Sequence, residues 1–135
     1  MLAEQNQLFI YADASFSKEA QLAVLGFLTF HSLQLHNTVK PTELAPCFVE
    51  VTESNNIRAE VRGVIWALKS CLEEHAKAKV IIYTDCQTVS ALIGRRDRLQ
   101  AVNFLSKKSK KPLANMDLYK EFYKIYDLLD RKSVV

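Results

Sequence analysis

At 135 residues and 15.4 kDa, the chain has the size of one domain, and 49% hydrophobic residues are enough to fill a single core. Charged residues make up 24% and there are only three glycines and three prolines, which excludes collagen-like, linker-like and disordered compositions. The longest apolar stretch, Leu22 to Phe30, is about half of the roughly 20 residues that a membrane-spanning helix needs. With Glu4 and Gln5 where a signal peptide carries basic residues, the expectation is a soluble, cytoplasmic domain that acts as a monomer. Cys47, Cys71 and Cys86 are odd in number and lack a Cys-x-x-Cys spacing, so they read as reduced thiols rather than a disulfide frame or a zinc site.

In chain order, Leu8 to Asp13 reads as a strand that is apolar on both faces until the aspartate interrupts it. Leu22 to Phe30 follows closely enough to pair with it as a hairpin, and Cys47 to Val51 supplies a short third strand. The period then changes. Ile57, Val61, Val64, Ile65, Leu68, Cys71 and Leu72 recur at helical spacing, which predicts a helix from about Ile57 to His75 capped by Asn55 or Asn56. Val80 to Thr84 reads as a buried strand, and Gln87 to Ile93 as a short helix ended by Gly94. Leu118, Phe122, Ile125, Tyr126 and Leu129 mark a last helix, after which Val134 and Val135 begin a strand. The expectation is an α/β fold whose mixed five-stranded sheet has three antiparallel strands followed by parallel ones, flanked by helices.

Charge is unevenly spread along this pattern. The chain has 18 basic and 15 acidic residues, and seven of the basic ones (Arg95, Arg96, Arg98, Lys107, Lys108, Lys110 and Lys111) fall with a single acidic residue, Asp97, between positions 95 and 111. The remaining 11 basic and 14 acidic residues form a mildly acidic body. One concentrated basic segment suits a grip on phosphates, and a solvated lysine loop is the alternative.

Asp13, Glu60 and Asp85 are the residues most able to carry chemistry. Taken singly, Asp13 could be a turn residue with Ala14 and Ser15, Glu60 could favour the dipole of its helix from the first turn, and Asp85 could cap the helix that follows it. If the first and fourth strands are neighbours with the long helix across them, all three carboxylates converge. Their repulsion then calls for cations, and hard oxygen ligands suit Mg²⁺ or Mn²⁺.

Four segments carry a resemblance. Tyr11-Ala12-Asp13-Ala14-Ser15, Asn55-Asn56-Ile57-Arg58-Ala59-Glu60, Thr84-Asp85-Cys86-Gln87 and Lys111-Pro112-Leu113-Ala114-Asn115-Met116-Asp117-Leu118-Tyr119 resemble, in order, motifs of the ribonuclease H family, in its bacterial type I form. The resemblance covers essentially the whole chain and implies a single ribonuclease H-like domain over 1–135 with a basic protrusion at about 95–111. It implies a metal-dependent endonuclease that hydrolyses the RNA strand of RNA·DNA hybrids. Asp13, Glu60 and Asp85 would be its catalytic, metal-binding carboxylates, working with two Mg²⁺ ions. Ser15, Asn55 or Asn56 and Gln87 would lie beside the scissile strand, and the seven basic residues would hold phosphates of the DNA strand.

Departures accompany the resemblance. Ala14 stands where the family has glycine, and the Asn-Asn-x-Arg-x-Glu spacing has one extra residue. The protrusion has Phe104 but no tryptophan, and His31, His36 and His75 match no family motif. The family's His-containing loop and fourth aspartate come after the point where this sequence stops, so the domain is expected to be incomplete at its C-terminus. The alternative function is therefore a catalytically impaired nucleic-acid-binding module of the same fold.

Overall fold

The structure is a computed structural model that describes residues 7–30, 47–75, 79–106, 108–129 and 131–134, with the side chains of 73–75 and 131–134 left aside. Two long strands open it, β1 (Gln7–Ser17) and β2 (Leu22–Phe30), followed by β3 (Cys47–Thr52), α1 (Asn56–His75), β4 (Lys79–Tyr83), α2 (Gln87–Ala101), α3 (Met116–Leu128) and β5 (Arg131–Val134). They form one five-stranded sheet in the order β3-β2-β1-β4-β5. The β1–β2 and β2–β3 pairs are antiparallel, and β1–β4 and β4–β5 are parallel, as the order of elements in the sequence implies.

Alternation along β1 decides which face the helices cover. Leu8, Ile10 and Ala12 are buried, whereas Tyr11, Asp13 and Ser15 on the opposite face are exposed. Ala23, Leu25 and Phe27 of β2 and Val80 and Ile82 of β4 continue the buried face. Helix α1 lies over it with Ala59, Val61, Val64, Ala67, Leu68 and Cys71 inward, and α3 packs against α1 through Leu118, Phe122 and Ile125. Phe122 is fully buried, a burial worth about 2–3 kcal/mol. Tyr123 donates its hydroxyl hydrogen bond to the Leu92 carbonyl at 2.6 Å, which ties α3 to α2. Among the described residues, no helix is long and apolar enough to cross a membrane.

The ends of β1 and α2 differ most from those expected. Strand β1 does not end at Asp13 but runs to Ser17, because the antiparallel ladder with β2 continues from Asp13↔Gly26 to Ser17↔Leu22. The reading of Asp13 as a turn residue therefore falls. The turn lies at 18–21, where Gln21 takes a positive φ of 54°. Helix α2 does not stop at Gly94 either. Val89, Leu92 and Leu99 keep one buried stripe running through it, and this packing outweighs the roughly 1 kcal/mol that a helical glycine costs relative to alanine. Arg95, Arg96 and Arg98 consequently sit on a helix, and only the lysines belong to the loop beyond it.

Candidate functional site

The parallel pairing of β1 and β4 builds most of the site. Tyr11 is paired with Tyr83 in register, so Asp13 and Asp85 each lie two residues beyond the same rung, at one end of the sheet. Asp13 is exposed, and the Ala14 amide donates to its Oδ1 at 2.8 Å. Just after β4, the Thr84 hydroxyl accepts from the Cys86 amide at 3.1 Å, turning the chain into α2. Cys86, not Asp85, occupies the N-cap position of α2, so the helix-capping reading of Asp85 falls.

Glu60 arrives from α1. That helix starts at Asn56, which puts Glu60 in the second turn; its first turn holds no acidic residue. Stabilisation by the helix dipole, which fades beyond the first turn, therefore does not explain Glu60. The approach of α1 to the sheet does. Ala59 is fully buried, and at Gly63, one turn further on, a Cβ would lie 3.7 Å from both the Asp13 carbonyl and the Ala14 Cβ. Small residues thus let the helix lie close to β1 and bring a half-buried Glu60 beside Asp13.

One oxygen from each of Asp13, Glu60 and Asp85 lies within 4.8 Å of the others. Among the described residues, no ion pair with Arg or Lys neutralises any of the three. Three hard anionic donors gathered without a basic partner fit a divalent cation with oxygen preference. Cys86 is buried beside them. Burial, and then a hydrogen bond to Glu60, push its thiol above the usual range, so it meets the carboxylate as a neutral donor. Asp13 and Asp85 also border an open recess of about 610 Å³ that Tyr11, Ser15, Gly26 and Phe48 help to line.

The other expected residues divide. Ser15, Asn56 and Gln87 are exposed, Ser15 on the same face of β1 as Asp13, Asn56 at the first residue of α1 and Gln87 at the first residue of α2. Asn55 is the cap of α1: its Oδ1 accepts from the Arg58 amide at 2.8 Å, leaving only its amide nitrogen to donate elsewhere. Arg95 is half-buried and Arg98 exposed on α2. Arg96 is engaged within the fold, where its guanidinium pairs with Asp127 through two hydrogen bonds and lies 5.0 Å from the centre of the Tyr123 ring. Lys108, Lys110 and Lys111 are exposed, while Lys107, His31 and His36 fall outside the described residues, as does the side chain of His75.

The lysines are presented on a built loop. Leu105 and Pro112 form an antiparallel bridge, the Ser106 amide donates to the Lys111 carbonyl at 2.8 Å, and the Leu113 amide donates to Phe104 at 2.8 Å. Phe104, with φ 58°, is buried against Tyr123 and anchors the loop from inside. Sequence reasoning missed the cluster that ties this loop to α1, namely Glu53, Arg58 and Asp117. Arg58 and Asp117 lie within two of the family-like segments, but spacing does not tell which residue each pairs with.

A family model of RNase H matches residues 5–133. The chain belongs to the ribonuclease H family. It is a nucleic-acid-hydrolysing domain of the ribonuclease H type. Its fold resembles that of a foamy viral protease-reverse transcriptase in complex with dsDNA, with a TM-score of 0.74 at 18% identity, covering 100% of this chain and 83% of that one. It also resembles the foamy viral protease-reverse transcriptase in complex with RNA/DNA hybrid, with a TM-score of 0.67 at 16% identity, covering 100% of this chain and 18% of that one. No curated protein sequence is significantly similar to it.

Proposed function

We propose that this ribonuclease H domain hydrolyses the RNA strand of RNA·DNA hybrids in a reaction that depends on divalent metal. The observation that carries the reading is the meeting of Asp13, Glu60 and Asp85 oxygens within 4.8 Å at one end of the sheet. A fold neighbour bound to RNA/DNA hybrid supports the choice of substrate.

The three carboxylates would hold Mg²⁺, or Mn²⁺ in its place. Bound divalent ions supply an activated water nucleophile and stabilise the leaving oxygen of an in-line displacement. Cys86 is buried next to Asp85, and its thiol, raised by burial and by Glu60, stays neutral beside the carboxylates. Ser15, Asn56, Gln87 and the amide of Asn55 would offer donors and acceptors suited to 2′-hydroxyls, the groups that distinguish RNA from DNA. Lys108, Lys110, Lys111, Arg95 and Arg98 hold backbone phosphates, which sets affinity rather than sequence preference. Lys107 belongs with them by its place in the sequence, and Arg96 supports the helix that carries its neighbours.

The test is incubation of the protein with an end-labelled RNA·DNA hybrid and Mg²⁺. The expected result is cleavage of the RNA strand only, abolished by a chelator and absent on duplex DNA. Hybrid binding without cleavage in either Mg²⁺ or Mn²⁺ would reduce the protein to a binding module, and cleavage that survives the chelator would contradict metal dependence.

A further inference from the structure

We infer that Arg58 is a positioning residue, locking the exit of the lysine loop to the helix that carries Glu60 and thereby fixing where loop-bound phosphates lie relative to the three carboxylates. The inference rests on the functional reading above.

Every edge of the Arg58 guanidinium is used. Its Nε donates to Glu53 Oε1 at 2.8 Å, and its two terminal nitrogens donate to the two Asp117 oxygens at 2.9 and 2.8 Å, with a longer contact of 3.4 Å to Asn115 Oδ1. These partners belong to different parts of the chain. Glu53 follows β3, Arg58 sits in the first turn of α1, two residues before Glu60, and Asn115 and Asp117 are the cap and second residue of α3. The lysine loop runs directly into that cap, where Asn115 takes a positive φ of 65°.

The far side of the clamp is anchored as well. Glu53 is the only buried charged side chain among the described residues; it also accepts from Arg62 at 2.7 Å and from the Ser54 amide at 3.0 Å, and its own amide donates to Gln21 in the β1–β2 turn. Only a planar fork bridges two carboxylates in this way, because a lysine ammonium offers a point charge without the parallel pair of donors. The residue therefore does more than add an ion pair: it determines the angle between the phosphate grip and the carboxylates.

The test measures hybrid binding against salt, KM and kcat with Mg²⁺, and thermal stability for the wild type, Arg58→Gln, Arg58→Lys and Asp117→Asn. Leu72→Ala, at a partly buried position further along α1 that packs against the core, serves as a control for lowered stability away from the clamp. Expected are a KM about fivefold higher in Arg58→Gln and a salt slope shallower by about one, because loop phosphates are no longer held in register. Arg58→Lys should fail to restore either value, and Leu72→Ala should leave both unchanged. Asp117→Asn keeps the Arg58–Glu53 bond and should shift KM the same way by a smaller factor, which keeps the test decisive if Arg58→Gln does not fold. Lowered stability with unchanged KM and salt slope would overturn the inference. A wild type that binds hybrid without cutting it contradicts the catalytic reading while the salt slope still tests Arg58, and a wild type that does not bind hybrid overturns both.

Discussion

Asp13 and Asp85 stand in equivalent places on neighbouring parallel strands, each two residues past the paired and stacked tyrosines Tyr11 and Tyr83. The two carboxylates are thus held together by backbone register, and Glu60 is added to them by a helix lying close over small residues. No basic side chain among the described residues pairs with the three. Two consequences of neutralising one of them follow. Asp13→Asn, Glu60→Gln and Asp85→Asn should each lower hybrid cleavage by about 10²-fold or more, since a metal-holding charge is lost. Without metal, each should also melt at the same temperature as the wild type or slightly above it, because like-charge repulsion is relieved. Cleavage assays and thermal melts in chelator check both, and a variant that melts well below the wild type in chelator would mean that the carboxylate serves the fold instead.

Gly94 offers a second check, this time on the helix. A Cβ there would meet nothing within 4 Å, and no described glycine has a positive φ. Gly94→Ala should therefore stabilise the protein by about 0.5–1 kcal/mol, seen as a rise of a few degrees in melting temperature. A loss of stability would contradict an unbroken α2.

Asp13, Asp85 and Gly94 show what is legible in the sequence and what is not. Asp13 and Asp85 are readable because an acidic residue closing an apolar run breaks a strong pattern, and strand order then brings them together. Gly94 misled because a glycine after a short helical run resembles a helix stop, whereas the stripe of Val89, Leu92 and Leu99 continues past it. Glu60 falls in the first turn of a helix that starts at Ile57 and in the second of one that starts at Asn56, so a single residue at the start of α1 decides whether the dipole reaches it. Arg96 stands among the phosphate-binding candidates by its charge run, which does not reveal partners; its pairing with Asp127 joins residues 31 apart. The Arg58–Asp117 pair spans 59 residues and is visible only once α1 and α3 are packed side by side.

That same pair makes an acid-sensitivity prediction. The hydrogen bonds from Arg58 hold the Asp117 carboxyl at about 2, below its usual 3.8. Burial alone would raise Glu53, but hydrogen bonds from Arg62, the Ser54 amide and Arg58 outweigh it and leave that carboxyl below its usual value too. Both folded-state values lie below the unfolded ones, so their stabilisation is complete only above about pH 5 and is lost as pH falls, that of Asp117 as pH approaches 2. Asp117 is largely exposed, so solvent screening keeps its share below about 1 kcal/mol. Melting temperatures of the wild type and Asp117→Asn should differ at pH 6 and converge near pH 2. A gap that stays constant across this range would show that the Asp117 charge contributes nothing.

The most direct measurement of the central claim is Mn²⁺ titration followed by electron paramagnetic resonance, comparing the wild type with Asp13→Asn and Asp85→Asn. The wild type is expected to take up Mn²⁺ in competition with Mg²⁺, and each variant to bind it at least about tenfold more weakly, as the loss of a coordinating carboxylate requires. Equal Mn²⁺ binding by the wild type and both variants, or none by the wild type, would contradict the assignment of Asp13, Glu60 and Asp85 as the metal site.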